Sequence, residues 1–194
     1  MTMFHKAPGL FPMPELSCGP LTLRRITPAD AQDVYAYSRD PEVARHVLWE
    51  AQQSLGEAKD YCRWQQRRYR ADEPASWGII LRETGHLIGT IGYMRYEEEH
   101  GCVELGYSLS RAYWNRGLMT RALVCVIRYT FQTMDVVRIE AMHELENPAS
   151  GRVMEKCGMR REGVLRSRLY NKGHAVDVAL YAIIRGDPLP EGER

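Results

Sequence analysis

The 194-residue chain has no uncharged apolar run long enough to cross a bilayer, and its first residues lack the apolar core of a secretory signal. Both absences argue against a membrane protein and for a cytoplasmic one. A basic surplus is missing too: 26 Lys and Arg stand against 25 Asp and Glu, a formal net charge of +1. Nucleic-acid binding leans on such a surplus, so no nucleic-acid partner is expected and any charge-guided binding has to be local. Cysteines are few, odd in number and scattered at Cys18, Cys62, Cys102, Cys125 and Cys157, with no Cys-x-x-Cys or His-x-x-x-His spacing. That pattern predicts reduced thiols and no metal site. No internal repeat is visible. What remains, 44% hydrophobic and 26% charged residues, fits one globular domain with a full core.

Residues 1–20 hold Pro8, Pro12, Pro14 and Pro20 and read as an extended N-terminal arm. Residues 21–186 read as the folded domain and 187–194 as a frayed tail. Within the domain, Leu21 to Ile26 predicts a strand. Thr27-Pro28-Ala29-Asp30 then caps a helix to about Ser38, Asp40-Pro41-Glu42 caps a short helix through His46, and Ser54 to Arg70 makes a longer one. Ser76 to Arg82 and His86 to Tyr96 form a hairpin. The acidic loop Glu97 to Gly101 leads into a third neighbouring strand, so these three are expected to be antiparallel. Val136 to Met142 is a further strand, Asn147-Pro148 opens a compact helix ended by Gly158, and Arg160 to Tyr170 with Ala175 to Ile184 makes a final hairpin.

The chain is organised around Val103 to Phe131. Val103, Leu105, Tyr107 and Leu109 alternate with Glu104, Gly106 and Ser108, as in a strand. After Gly117 the period lengthens: Leu118, Met119, Ala122, Leu123, Val126, Ile127 and Thr130 make one apolar helix stripe. A strand that feeds a helix through a tight turn leaves the first amides of the helix unpaired beside the positive end of its dipole, a seat for phosphate. Arg111, Arg116, Arg121 and Arg128 occur here with no acid between them. An anion is expected at this place.

Glu104-Leu105-Gly106-Tyr107, then Trp114-Asn115-Arg116-Gly117-Leu118-Met119-Thr120, then Asn147-Pro148-Ala149-Ser150 with Glu155-Lys156-Cys157-Gly158-Met159, occur in that order. Together they resemble the GNAT superfamily of acetyl-CoA-dependent N-acetyltransferases, and within it the Rim-type ribosomal-protein N-terminal acetyltransferases. Trp114 stands where Gln or Arg is common, and Met119 takes the place of the last small residue. The left-handed conformation that a loop glycine would adopt is one that asparagine tolerates at Asn115. The resemblance implies an α+β GNAT fold: a mixed, mostly antiparallel, splayed sheet of about six to seven strands with helices on both faces. It implies pantetheine in the splay and a pyrophosphate on Asn115 to Thr120, with Trp114 alongside. Leu105, Gly106 and Tyr107 would supply backbone donors to the thioester carbonyl.

Acetyl transfer needs a neutral amine, a polarised carbonyl and a protonated leaving thiol. Glu104, between Val103 and Leu105, is the first choice for the base, because partial desolvation raises a carboxyl pKa. A glutamate on a solvent-facing side of the strand is the plain alternative. Ser150, matched to the serine of the Rim-type motif, is the candidate donor to the thiolate, and Asn147 is both cap and cofactor ligand. Some Rim-like members carry an acid where Leu169 stands here. Tyr170, one residue on, is a candidate hydroxyl donor, although alternation sends it to the opposite face. His46, His86, His100, His143 and His174 read as loop or edge residues, and Asp177 as a structural hydrogen-bonding residue. The expected acceptor is a protein or peptide N-terminal α-amine, entering between Asp30 to Arg70 and Leu165 to Ala175. Aminoglycosides or polyamines, and a noncatalytic CoA sensor, are the alternatives. Oligomeric state stays open, a homodimer included.

Overall fold

The computed structural model describes residues 10–190. One sheet contains β1 (Leu16–Cys18), β2 (Leu21–Arg25), β3 (Ser76–Leu81), β4 (Leu87–Glu97), β5 (Cys102–Leu109), β6 (Arg138–Glu144), β7 (Arg160–Asn171) and β8 (His174–Ile184). The order across it is β1-β2-β3-β4-β5-β6-β8-β7. Every neighbouring pair is antiparallel except β5 with β6. The helices are α1 (Ala31–Ser38), α2 (Pro41–Ala44), α3 (Leu55–Arg70), α4 (Leu118–Thr133) and α5 (Pro148–Lys156). This is the mixed α+β sheet expected, with eight strands in place of six to seven.

The added strand is β1, and it corrects the reading of residues 10–20 as a loose arm. Leu16 to Cys18 pairs with Cys18's near neighbours Leu21 to Leu23. Upstream, Phe11 and Met13 are buried, with the Phe11 ring 5.3 Å from Tyr93 and 5.6 Å from Tyr96. Both Asp72 carboxylate oxygens accept backbone amides, from Leu10 at 2.9 Å and Phe11 at 2.8 Å, and the Trp77 indole donates to the Pro14 carbonyl at 2.8 Å. The prolines therefore set an extended path whose apolar side chains close one end of the core. Residues 1–9 of the expected arm and 191–194 of the expected tail lie outside the described residues. The beginning of that tail is held, since Asp187 accepts the Ile184 amide at 3.1 Å.

The reduced-thiol expectation is also corrected. β1 runs beside α4, and Cys18 and Cys125 form a disulfide with their Cα atoms 6.1 Å apart. The pairing spans 107 residues, which is why spacing along the chain did not reveal it. Cys62, Cys102 and Cys157 are free and buried.

Helices cover both faces. The whole predicted α4 stripe, Leu118, Met119, Ala122, Leu123, Val126, Ile127 and Thr130, is buried in the same core as Val103, Leu105 and Ile139 or directly against it. α5 adds Met154 to this side. A second core brings Val34 and Tyr37 of α1 and Ala58 and Cys62 of α3 against Ile26, Ile80 and Leu87. Asp40 and Asn147 cap their helices as predicted, accepting the amides of Glu42 and Ser150, and Ser54, read as the first helical residue, is instead the cap of α3 and accepts the Glu57 amide.

What positions the site is the shortness of the parallel pairing. β5 and β6 are in register only at Cys102 with Arg138, Val103 with Ile139 and Glu104 with Glu140. Beyond Glu104 the two strands part. From Leu105 to Leu109 the free side of β5 turns alternate backbone groups into a wedge-shaped gap.

Candidate active site

The gap is flanked by two helix starts. At α4, Gly117 is the N-cap with φ +72°, and Asn115 before it has φ +59°. The left-handed backbone expected of Asn115 is thus present. A Cβ built on Gly117 would meet nothing within 4 Å, and the first turn of α4 holds no acid and no capping side chain. The amides of Leu118, Met119 and Thr120 precede the first bond of the helix, Arg121 N to Gly117 O. Met119 is buried in the core, so its size does not crowd this turn. Trp114 braces the loop by donating its indole N–H to the Leu109 carbonyl at 2.7 Å, and Arg116 lies over the Tyr113 ring.

The four arginines do not form one cationic seat. Arg111 pairs with Asp40 at 3.0 Å, and the Arg128 guanidinium donates to the Pro190 carbonyl. Arg121 lies near Gly19, with Nη1 3.5 Å from where a Cβ there would be. Arg116 alone of the four belongs to the loop that leads directly into Gly117.

Glu104 sits at the closed end of the gap, the last residue of β5 paired with β6. Its side chain is 21% exposed. In β4 the register jumps from Tyr93 opposite Leu105 to Arg95 opposite Glu104, leaving Met94 as the extra residue. Arg95 Nε is 3.9 Å from Glu104 Oε2 and its guanidinium is shared with Glu97 at 2.8 Å. Burial pushes the Glu104 carboxyl above the usual range, Glu140 and Glu97 add to that, and Arg95 and Arg168 pull against it. The neighbouring Glu140 is held by Arg138 at 2.6 Å.

Ser150 lies in the first turn of α5, below the Asn147 cap. Its Oγ is 2.9 Å from the Tyr107 hydroxyl, which also donates to the Ser150 carbonyl at 3.1 Å. Ser150 and Tyr107 are therefore brought together across the gap, a link the alternation of β5 did not reveal. Beside them, the His143 ring fills the space over Gly151: a Cβ there would meet His143 Nε2 at 2.7 Å and the Tyr181 hydroxyl at 3.1 Å. His143 Nδ1 is 2.7 Å from the Glu144 carbonyl, so the proton sits on Nδ1.

Tyr170 is not brought to this place, which corrects its candidacy. It is 74% exposed at the hairpin tip, and its hydroxyl donates to the Gly173 carbonyl at 2.8 Å. Asp177 has the structural role expected of it, accepting the Ser167 amide at 2.8 Å.

One contact that sequence reading missed closes the far side. His46 Nδ1 is 2.8 Å from Glu144 Oε2, and Asn171 donates to Glu144 Oε1. Lys172 reaches the Trp49 carbonyl at 2.6 Å and Glu50 at 3.3 Å. The segment after α2 and the tip of the β7–β8 hairpin thus meet at the end of β6, the two walls between which an acceptor was expected to enter. A cavity of about 310 Å³ between α1 and the start of the loop after β5 is lined by Ala36, Tyr37, Asp40, Ser110, Arg111 and Ala112.

Comparison with known proteins gives the family and the fold. Residues 20–160 match the family described as "Acetyltransferase (GNAT) domain". The chain is 33% identical over 172 residues to the uncharacterized N-acetyltransferase YoaA of Bacillus subtilis, covering 89% of this chain and 97% of that one. It is 34% identical over 116 residues to the [ribosomal protein uS5]-alanine N-acetyltransferase of Escherichia coli, 59% of each chain. The crystal structure of a GNAT-family acetyltransferase from Bacillus anthracis superposes with a TM-score of 0.79 at 27% identity, over 88% of this chain and 98% of that one.

Proposed function

The chain belongs to the GNAT family and is an acetyl-CoA-dependent N-acetyltransferase, and from that premise we propose that its acceptor is the free α-amine of a protein or peptide. Acetyl-CoA supplies the acetyl group as a thioester. The start of α4 suits its pyrophosphate, because Gly117 has open space over its Cα and no acid stands in the first turn. Asn115, Arg116, Gly117, Leu118, Met119 and Thr120 would hold it, with Trp114 bracing the loop. Asn147 and the edge of β5 would line the pantetheine arm.

Leu105, Gly106 and Tyr107 would direct strand amides at the carbonyl that takes up negative charge. Glu104 would accept the proton of the ammonium directly or through water, and the hydroxyl of Ser150 would donate to the leaving sulfur. Attack is direct in this scheme. The free thiols are poor nucleophiles, since burial pushes Cys62 up to about 11 and Cys157 up to about 12.

The observation that carries the acceptor reading is Glu104 itself: one partly buried carboxylate at the closed end of the gap, its neighbour Glu140 already held by Arg138. An α-amine has a pKa of about 7.7–8.0, so roughly a third is neutral at about pH 7.5, against about one in a thousand for lysine. A weak base suffices for the first. The similarity to an enzyme that acetylates the alanine of a ribosomal protein supports the same class.

The test is thiol release with short peptides bearing a free α-amine, compared with the same peptides blocked at that end and carrying lysine. Higher kcat/KM for the free α-amine is expected. Equal or better turnover of the blocked lysine peptides contradicts the proposal, and turnover confined to aminoglycosides or polyamines replaces it.

A further inference from the structure

Strand β7 does not run evenly along β8. Leu165 faces Val178 and Leu169 faces Val176, so Arg166, Ser167 and Arg168 together stand opposite Asp177 alone. Ser167 has φ +49°, a left-handed backbone that costs a non-glycine residue on the order of 1 kcal/mol. The Asp177 carboxylate holds it there by accepting the Ser167 amide at 2.8 Å. A three-residue bulge fixed by a dedicated carboxylate has one visible product, the exposed arginine on each side of Ser167.

These arginines differ from four other cations around the site. Arg95, Arg111, Arg138 and Lys172 each have a carboxylate partner. Arg166 and Arg168 make neither an ion pair nor a hydrogen bond among the described residues. The bulge lies at the end of β6, where Glu144 faces Val178, the Leu145 amide donates to the Asp177 carbonyl at 3.3 Å and Asn171 donates to the Glu144 carboxylate, and the Arg168 charge lowers the Glu104 carboxyl against burial. The floor there is acidic, with Glu104, Glu140 and Glu144 at alternate or facing positions of β5 and β6. A cationic amine suits the floor and an anionic group suits the bulge.

We propose that Arg166 and Arg168 select acceptors that carry carboxylates in the residues just after the reacting α-amine. The inference rests on the α-amine reading above. An extended chain advances about 3.3 Å per residue, so residues 2 to 4 of an acceptor lie one to three steps, roughly 3–10 Å, along the chain from its first residue. Charges on an exposed rim steer and discriminate among partners more than they add raw affinity.

The experiment compares two free-α-amine peptides that differ only in Asp and Glu against Asn and Gln at positions 2 to 4. It is run at pH 8.5, at low and high salt. The wild-type enzyme is expected to favour the acidic peptide by about tenfold in kcat/KM, carried by KM and reduced by salt. Arg166→Gln, which leaves the surroundings of Glu104 untouched, should remove about a threefold share. The Arg166→Gln/Arg168→Gln variant should bring the ratio below about twofold, with turnover of the neutral peptide retained. Equal use of both peptides by the wild-type enzyme, or a preference that survives in the double variant, overturns this inference and leaves the α-amine reading standing. Turnover of neither α-amine peptide, with blocked lysine peptides or polyamines consumed, overturns both.

Discussion

Tyr107 and Ser150 meet across the gap between β5 and α5, their hydroxyls 2.9 Å apart and the tyrosine hydroxyl also donating to the Ser150 carbonyl at 3.1 Å. Burial pushes the Tyr107 hydroxyl above its ordinary pKa, so it stays a donor. With that proton given to the carbonyl, the Ser150 hydroxyl donates to Tyr107 and has to rotate to serve a departing sulfur. Ser150→Ala should lower kcat more than about tenfold at every pH. Tyr107→Phe should cost about 1 kcal/mol of stability and reduce kcat less. Steady-state kinetics and thermal melts check both, and an unchanged kcat in Ser150→Ala removes it from the reaction.

The α4 turn gives a prediction about cofactor affinity. Gly117→Val places a branched side chain at φ +72° and over the helix amides. The KM for acetyl-CoA should rise about tenfold, since anion contacts at a helix start are worth up to about 2 kcal/mol. Arg116→Ala should raise it less and weaken its salt dependence. A KM unmoved in both variants places the phosphates elsewhere.

Glu104 gives a prediction about stability. Its carboxyl is raised in the folded protein, so the folded state binds its proton more readily than the unfolded chain does. Protonated Glu104 is compatible with the fold. As pH rises through the unfolded and then the folded pKa, ionisation costs stability. Glu104→Gln should therefore raise Tm at pH 7 and change it little near pH 4. A lower Tm at pH 7 contradicts the burial argument.

The disulfide gives a prediction about redox sensitivity. Cys18–Cys125 closes a span of 107 residues and ties β1 to the helix that begins at Gly117. Reduction, or Cys18→Ser with Cys125→Ser, should lower stability by about 2–4 kcal/mol. Denaturant melts with and without reductant measure it, and coincident curves would show the link adds nothing.

Much of the fold was legible because its signals are local. Period two in β5, the long stripe of α4, Asp40 and Asn147 as caps, and the left-handed Asn115 and Gly117 are each written within a few residues of where they act. What was not legible depends on partners far away in the chain. Phe11 and Met13 look like parts of a proline-rich arm until Tyr93 and Tyr96 are brought beside them. His46 and Glu144 are 98 residues apart. For Tyr170 the alternation was legible: counted from Leu169 it faces away, and it is exposed with its hydroxyl turned to the Gly173 carbonyl. Asp177 was read correctly as structural, and the amide it holds belongs to the bulge at Arg166 to Arg168.

The central claim is that one carboxylate, Glu104, serves the amine beside a separately built cofactor seat. The most direct measurement is kcat against pH from 6 to 9 for the wild-type enzyme and Glu104→Gln on a free-α-amine peptide, with acetyl-CoA binding measured in parallel. Glu104→Gln is expected to bind acetyl-CoA as the wild-type enzyme does while its kcat falls by about 10²–10⁴, most at low pH. Wild-type turnover by Glu104→Gln at pH 6.5 would contradict it.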